Sequence, residues 1–458
     1  MKKAFKLGTI ATAIALTSGC TSMMQKKDFD GLNEQITKGD INAAVVHAEK
    51  LSGEFNTQTG EPGDLLWALQ SGVLNRVAGN DKRSITYFDS AETLMRMEDS
   101  ESGAEKAAET TGSILGNDAM LDYEPTQYDG VMTNYYKAMS FWTLGDTASA
   151  RVEFNRSIDR QRRAAQYFSE EIQDKIAAAG GDAQGNQNAA NQGIAQAEQA
   201  TAAKMSQWSA YEGYINPAAT YASSLFFMLH GKDGADYEKA QAGFKRVYGI
   251  SRSATAKADM NNVAALKSGQ RLKPTVWVIY ENGLSPKKKE VRYDFPLFLA
   301  GVNKVKYVGM ALPEMGDGSA AFPYVQIDQY RTQPMASMSK VIQSEFKAEY
   351  PGILAREVTR AVVKAASQAV AEKQDSSGLA SIIMTVATMA TTGADVRSFS
   401  MLPDTFDVTS LPKQGKNQFT LKAGQFDIPV TTAAGKHAII YVRAYHDNIA
   451  PQVSVINI

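Results

Sequence analysis

Two short groups of polar residues in the second half of the chain are the best placed for acid or base chemistry. Glu281 and Asn282 precede a glycine in a Glu-Asn-Gly sequence, and Asp395 and Arg397 stand two residues apart before a strand-like segment. Glu281 could act as an acid or base at a loop tip, but such turn residues more often only cap or solvate the turn. Asp395 and Arg397 could form a structural ion pair across a helix-to-strand corner.

The sequence contains no established catalytic or metal-binding motif. Of its four histidines, His47 falls in a predicted repeat helix and His230 near a helix end, and His437 and His446 flank a strand without a carboxylate or second ligand at metal-binding spacing. Gly-x-Ser-x-Gly, Walker-type and His-Glu-x-x-His patterns are missing as well. We therefore predict a protein that is not an enzyme and that needs neither a metal nor a cofactor.

A local basic cluster, Lys287 to Lys289 with Arg292, could face anionic lipid or glycan. Such a run is more often the solvated edge of a hairpin, where charges discourage pairing with other strands. Over the whole chain the charges balance, with 48 Lys and Arg against 49 Asp and Glu. We expect no nucleic-acid partner, because such partners select proteins with an extended basic surface.

The N-terminus resembles a bacterial lipoprotein signal. Residues 1–6 are basic, Leu7–Leu16 is apolar but too short to span a membrane, and Ser18 and Gly19 precede Cys20, the only cysteine. Thr17 departs from the leucine that is usual in such signals. The resemblance implies a signal peptide at 1–19, lipidation of Cys20 with acyl chains such as palmitate, and a tether at 20–27. Thr21 and Ser22 do not resemble the aspartate of inner-membrane retention signals, which implies an outer-membrane anchor facing the periplasm.

Residues 131–158 predict two amphipathic helices joined by a turn at Leu144-Gly145-Asp146. Apolar side chains recur every three or four residues on each side of the turn, as on one face of a helix. A shift of 66 residues superposes Gly79 on Gly145 and Phe88 on Phe154. Such pairs resemble tetratricopeptide-type units, which stack because one pair cannot bury both of its apolar faces.

Weaker copies at 28–51 and 216–247 extend this pattern, which predicts a tetratricopeptide-like helical domain at residues 28–260. Within it, residues 174–205 are rich in Ala, Gln, Gly and Asn, and are predicted to be a low-complexity insertion that forms a protruding helical hairpin or a mobile loop. The first helices of such repeats usually line a concave face. We therefore expect the side chains of four residues to be exposed in a partner-binding groove: Asn75, Asn134, Tyr135 and Lys137.

The apolar period falls from about four residues to two near residues 257–273, which predicts an α+β domain at 270–458. Antiparallel strands are predicted at 276–280, at 290–299 beyond an Asn-Gly hairpin turn, and again between 419 and 456. A long helical segment at 335–374 is predicted to be interrupted near Pro351, where proline should end or bend the first helix. The apolar run at 379–390 is predicted to be a buried or partner-facing helix, with a membrane-surface helix as the alternative. The predicted fold class is α+β, with the helical array preceding this mixed domain.

The mature chain resembles, over nearly its whole length, an uncharacterised family of proteobacterial tetratricopeptide-type outer-membrane lipoproteins. The repeats and the signal are generic, whereas Ile279–Pro286 (IYENGLSP) and Ala394–Phe399 (ADVRSF) are more specific. The family implies no activity. Proteins similar to this one accompany envelope lipoproteins that assist cell-wall synthesis or surface assembly.

We therefore expect a non-catalytic, periplasm-facing scaffold or adaptor that binds a segment of an envelope protein in its helical groove. One alternative is an envelope enzyme that acts on peptidoglycan or glycan, with Glu281 and Asp395 as acids. Another is a subunit of a membrane-associated export or surface-assembly complex, in which residues 379–390 would form the contact.

Overall fold

The computed structural model describes residues 25–53, 59–60, 62–100, 122–179, 183, 185–208, 211–299, 306–374 and 393–458. Cys20, the predicted signal peptide and the apolar run at 379–390 lie outside the described residues.

The first part of the chain is helical. Its helices are α1 at 25–38, α2 at Ile41–Leu51, α3 at Leu65–Val77, α4 at Asp81–Ser100, α5 at Gln127–Thr143, α6 at Thr147–Gln166, α7 at Ile172–Ala179, α8 at Gln187–Gln207, α9 at Pro217–Leu229, α10 at Gly234–Ser251 and α11 at Ala254–Lys267. Several begin at a polar cap: Asp64 accepts a hydrogen bond from the amide of Trp67 at 2.9 Å, and Asp146 from that of Ser149 at 3.0 Å. These caps satisfy amides that have no partner inside the helix.

The second part combines strands with one long helix. Its elements are β1 at Thr275–Asn282, β2 at Lys288–Leu297, β3 at Lys306–Met315, β4 at Gln326–Ile327, β5 at Tyr330–Arg331, β6 at Gln333–Ser337, α12 at Met338–Gln374, β7 at Thr405–Pro412, β8 at Gln418–Ala423, β9 at Phe426–Thr431, β10 at Ala438–Ala444 and β11 at Gln452–Asn457. The prediction of helices followed by a mixed part with antiparallel strands is confirmed, and the change occurs between Lys267 and Thr275.

The predicted helix pairs are present as α3 with α4, α5 with α6, and α9 with α10. Phe88 and Phe154, which the 66-residue shift superposes, are both fully buried. Helix α3 approaches Phe88 closely because residue 72 is glycine: a Cβ there would lie 2.7 Å from the phenyl ring. Local sequence patterns therefore predicted both the helices and the residues that pack between them.

The low-complexity insertion does not protrude. Its second half is α8, which packs on α12 and β2 and buries the small residues Ala189, Ala190, Gly193, Ala197 and Thr201. Its first residues, 174–179, belong to α7, which crosses α12 at Gly352, where a Cβ would lie 3.5 Å from Ile176. The prediction of helices is confirmed, but the prediction of a solvent-facing hairpin is wrong, because small side chains let these helices approach α12.

Strand β1 is the central strand of a five-stranded sheet with the order β11-β10-β1-β7-β6. It pairs in parallel with β10 and antiparallel with β7, and every residue except its first is buried. The predicted hairpin between residues 276 and 299 is wrong, since β2 pairs with β3 instead. Pairing with two distant strands buries both faces of β1, and this outweighs the local turn signal. A third sheet has the order β5-β4-β8-β9.

Helix α12 continues through Pro351 from Met338 to Gln374, so the prediction that the helix ends at this proline is wrong. Proline removes one intrahelical hydrogen bond, but α7, α8 and β3 all pack on this helix and stabilise it. No helix within the described ranges is both long and apolar enough to cross a bilayer.

One hydrophobic core joins the helical part to the five-stranded sheet. Trp277 and Ile279 of β1 belong to the same buried cluster as Leu69 of α3. Asp259 of α11 reinforces this contact by accepting hydrogen bonds from Trp277 at 3.0 Å and from Tyr221 of α9 at 2.8 Å. The two predicted domains therefore share a core.

Candidate functional site

Glu281 is buried between the helices and the sheet, so its predicted position at a loop tip is wrong. It is the penultimate residue of β1 and has no exposed surface. The hydroxyl of Tyr441 donates a short hydrogen bond to its carboxylate, and the hydroxyls of Tyr441 and Tyr135 lie 2.9 Å apart. Two of the predicted site residues, Tyr135 and Glu281, therefore meet at one tyrosine.

Two arginines complete this buried junction. The Nε of Arg443 lies 3.4 Å from the carboxylate of Glu281, and its guanidinium donates to the carbonyls of Gly283, Ala444 and Met401 at 2.6, 2.9 and 3.1 Å. Arg76 of α3 lies over the ring of Tyr441, 4.2 Å from its centre. Burial raises the pKa of Tyr441 well above its usual value, so this group stays protonated and remains a donor. The cluster joins α3, α5, β1 and β10 and offers no access to a substrate.

Asn282 and Gly283 hold the loops at the end of β1. The Asn282 side chain donates to the carbonyl of Phe322 at 2.9 Å and accepts from the amide of Ala321 at 2.7 Å. Gly283 has a φ of 68°, and a Cβ there would lie 1.6 Å from the carbonyl oxygen of Ser319. The Glu-Asn-Gly segment is therefore a structural joint in this fold.

The four predicted groove residues are buried, so the expectation that they are exposed is wrong. Asn75 and Asn134 have no exposed surface, and Tyr135 and Lys137 are 1% and 2% exposed. Asn75 donates to Glu49 at 2.9 Å. Asn134 donates to Glu92 and Glu153, and the amine of Lys137 lies 2.6 Å from Glu92.

These contacts form a buried charge network between α4, α5 and α6. Burial alone would raise the pKa of Glu92, but the positive charge of Lys137 lowers it to about 2, so this carboxylate remains ionised. Lys137 also lies 2.8 Å from Asp89 and 3.2 Å from Glu153. The polar side chains of the helix pairs therefore hold neighbouring helices together.

Asp395 and Arg397 form the predicted ion pair. The Nε and Nη2 of Arg397 each lie 2.9 Å from a different oxygen of Asp395, which is a bidentate arrangement. Burial alone would raise the pKa of Asp395, but the hydrogen bonds from Arg397 hold it below its usual value. Asp395 also lines an open cavity of about 110 Å³, and this places one predicted site residue at an accessible position.

We call this cavity the charged cleft. Its walls come from α7 and the turn before it, α12, the beginning of β2, Pro313 of β3, and the segments that precede α5 and β7. Tyr123, Tyr167, Ile176 and Ile353 form part of its apolar lining. Its charged side chains are Glu124, Lys175, Lys288, Glu349, Arg356, Glu357 and Asp395.

Lys288 and Glu349 face the cleft from different elements. Lys288 is the first residue of β2, and its amine lies 5.9 Å from the ring centre of Phe346 of α12. Burial raises the pKa of Glu349, and only part of this rise is offset by the charges of Lys175, Lys288 and Arg356. Glu349 therefore holds a proton to higher pH than an exposed glutamate does.

Glu345, one helical turn before Glu349, ties the cleft to the helical part. Its carboxylate accepts hydrogen bonds from the amides of Gln127 and Tyr128, and the second is 3.1 Å long. These amides are at the beginning of α5 and have no partner inside that helix. Glu349, which lines the cleft, is thus one helical turn from the residue that binds the beginning of α5. Helix α5 carries Tyr135.

The sequence pointed to only part of this site. The basic cluster at Lys287–Lys289 contains Lys288, and the pair at Asp395 and Arg397 was predicted. Glu349, Tyr167 and Lys175 were missed, because they lie on helices whose spacing alone does not show which residues meet. Among the described residues, no group of three His, Cys, Asp or Glu side chains could hold a metal ion.

Comparison of the chain with protein-family models, with curated proteins and with solved structures found no match.

Proposed function

We propose that this protein is a lipid-anchored adaptor of the outer membrane that faces the periplasm and binds a segment of an envelope protein in the charged cleft. The observation that carries the proposal is the cleft itself, an open cavity of about 110 Å³ with both cationic and acidic side chains on its walls. In this proposal the helix pairs of α1–α11 form a tetratricopeptide-like array that serves as the rigid support of the cleft.

The chemistry of the cleft fits a polypeptide. Tyr167, Ile176 and Ile353 supply apolar surface, and Lys175, Lys288 and Glu349 supply charges of both signs. A polypeptide segment can present apolar and charged groups side by side, as in many peptide-binding grooves. We therefore propose that the partner binds at the cleft. The first helices of the pairs are not the proposed binding surface, because their polar side chains are buried.

The proposed anchor would hold the helical part close to the bilayer. Residue 25 is already helical, and the chain from Cys20 to that residue spans at most about 18 Å when fully extended. Lipidation is tested by labelling cells with an alkyne analogue of palmitate. Wild-type protein should carry the label and sediment with membranes, and Cys20→Ser should lose both properties. An unlabelled wild-type protein would contradict the anchor.

Partner binding is tested by chemical crosslinking in intact cells that make the full-length protein. Lys288→Glu reverses a charge inside the cleft. Lys289→Glu is the matched control. Lys289 is next to Lys288 in the sequence, but its side chain is 60% exposed and its amine lies 3.6 Å from the carboxylate of Glu314, outside the cleft. We expect one crosslinked partner that is lost in the first variant and kept in the second. A partner that survives Lys288→Glu would contradict binding at the cleft.

A further inference from the structure

We propose that strand β11 pairs with the β11 strand of a second copy of this chain, so that two five-stranded sheets join into one continuous sheet across a two-fold axis at Val455. Backbone hydrogen bonds between the two antiparallel strands, and the valine side chains beside them, would form the interface. No residue of β11 is among those that line the charged cleft. The proposal is therefore independent of the proposed function.

Strand β11 is at the edge of the five-stranded sheet, and in the part of the chain that the structure describes it pairs only with β10. The amide of Ile458 donates to the carbonyl of His437 at 2.9 Å, so these residues form a hydrogen-bonded pair. Because such pairs alternate along an antiparallel ladder, every second residue before Ile458 also bonds to β10. The amides and carbonyls of Val453, Val455 and Asn457 therefore face away from β10.

This outer edge of β11 is open. Within the described ranges no hydrogen bond reaches the amides or carbonyls of Val453, Val455 and Asn457. The side chains of the two valines are only partly buried, although they pack on the apolar cluster that contains Val278 and Val442. The edge thus presents both unpaired backbone groups and partly exposed apolar side chains.

The other edge strands of the described sheets have features that prevent further pairing. Strand β6 contains Pro334 with an irregular register beside it, and β9 contains Pro429. Strands β2 and β3 contain Pro296 and Pro313 together with several charges, and β5 is only two residues long. Strand β11 has the sequence QVSVIN, without proline, glycine or charge. Edges that lack such protection are the ones that pair with other strands.

The pattern of this edge suits a second copy of itself. A two-fold axis at Val455 would place this residue opposite its own copy and Val453 opposite Asn457, so each outward amide would meet an outward carbonyl. About six backbone hydrogen bonds would form between the two strands. No like charges would be opposed, because β11 has none. The partly exposed valines of both chains would become more buried.

Site-specific crosslinking tests this register in membranes that contain the full-length protein. Val455→Cys would place two thiols on the axis, where the opposite Cα atoms of a hydrogen-bonded pair lie about 5.5 Å apart. Gln452→Cys is the matched control, since Gln452 is exposed on the same strand but would lie about 20 Å from its copy. With a short bismaleimide linker we expect a dimeric adduct from the first variant and almost none from the second. Wild-type protein, whose only cysteine is Cys20, is the blank.

Variants of the edge test whether backbone pairing holds the two copies together. Two differently tagged forms of the full-length protein, made in the same cells, should purify together in mild detergent. Val453→Pro removes one outward amide but is compatible with β10, because proline is tolerated at edge positions whose amide faces solvent. Val455→Lys opposes two like charges on the axis. Both variants should lose co-purification, whereas Val455→Thr, which keeps the amide and a branched side chain, should retain it.

Circular dichroism and limited proteolysis check that each variant is folded, and Val455→Lys replaces Val453→Pro in the test if the proline variant does not fold. Equal adducts from positions 455 and 452, failure of the wild-type forms to purify together, or co-purification that survives Val455→Lys would each overturn the proposal. An adduct between position 455 and a different protein would show that the edge binds a foreign strand, and it would equally overturn the pairing of two copies.

Discussion

Tyr135 and Glu281 contact the same hydroxyl group, that of Tyr441, although one lies on α5 and the other on β1. The sequence suggested that one would line a groove and that the other would lie at a loop tip. Their meeting point is instead the polar centre of the junction between the helical part and the five-stranded sheet. This junction gives the charged cleft a rigid support, because the same helix α5 begins at the amides that Glu345 binds.

Tyr441→Phe should destabilise the protein by about 1–3 kcal/mol, because the buried carboxylate of Glu281 and the hydroxyl of Tyr135 both lose a hydrogen-bond partner. Urea unfolding followed by circular dichroism measures the change. Tyr324→Phe is the control, since Tyr324 is 36% exposed and its ring keeps its contact with Arg331. Equal stability of the two variants would contradict the junction.

Lys137→Met should lower the free energy of unfolding by about 3–5 kcal/mol, because Glu92 and Glu153 would lose the cation that they share in a buried network. The same urea titration detects the loss. Lys38→Met removes an exposed pair with Glu34 and should leave the stability nearly unchanged, because solvent screens this pair. A small effect of Lys137→Met would contradict the stabilising role of the buried charge network.

Gly283→Ala should prevent folding or cost more than about 3 kcal/mol, because the added Cβ would overlap the carbonyl of Ser319 and the φ of 68° disfavours alanine. Gly79→Ala separates these two causes. Gly79 has a φ of 80° but no atom within 4 Å of the added Cβ, so its cost should be only about 1 kcal/mol. Thermal unfolding of both variants measures the difference, and equal costs would show that the close approach to Ser319 is not tight.

The ionisation of Asp259 should lower the free energy of unfolding of the protein as the pH rises from about 4 to about 6. Burial raises its pKa from 3.8 to about 6, so between these values the native state holds a proton that the unfolded chain has lost. Its contribution to stability is complete below the unfolded pKa and disappears as the pH passes through the folded one. Asp259→Asn should therefore reduce the fall in stability measured by urea unfolding across this pH range.

The Asp447→Asn variant, at an exposed position, is the control for this experiment. If both variants show the same dependence on pH as the wild type, Asp259 is ionised in the folded protein at the lower pH. The hydrogen bonds that it accepts from Trp277 and Tyr221 would then be those of a carboxylate over the whole range.

Local patterns predicted local structure. Apolar spacing placed the helices on both sides of Gly145, and the 66-residue shift identified Phe88 and Phe154 as equivalent buried residues. These signals are reliable because a helix and its nearest packing contact involve residues that are close in the sequence.

Long-range pairing was not predictable in this way. Val276 pairs with Ala438 in a parallel arrangement, and no local turn reveals such a partner. The Asn282-Gly283 turn exists, but it leads away from β1 and not into a hairpin. Similarly, Asn134 and Lys137 look like solvent-facing residues until Glu92 of another helix is brought against them.

The charged cleft needed the same kind of long-range information. Lys288 was part of a visible basic cluster, but only the fold brings it to the same cavity as Glu349 and Asp395. Glu349 and Tyr167 gave no signal, since the environment that raises the pKa of both side chains comes from several distant segments.

Photocrosslinking from the wall of the cleft tests the central claim most directly. We would place p-benzoylphenylalanine at Ala179, which lines the cleft, and at the exposed neighbour Ala178, which does not, and irradiate intact cells. The adaptor proposal predicts one protein adduct from position 179, none from position 178, and loss of the adduct when Lys288→Glu is added. No adduct at position 179, or one that also forms at 178 and ignores Lys288→Glu, would contradict it.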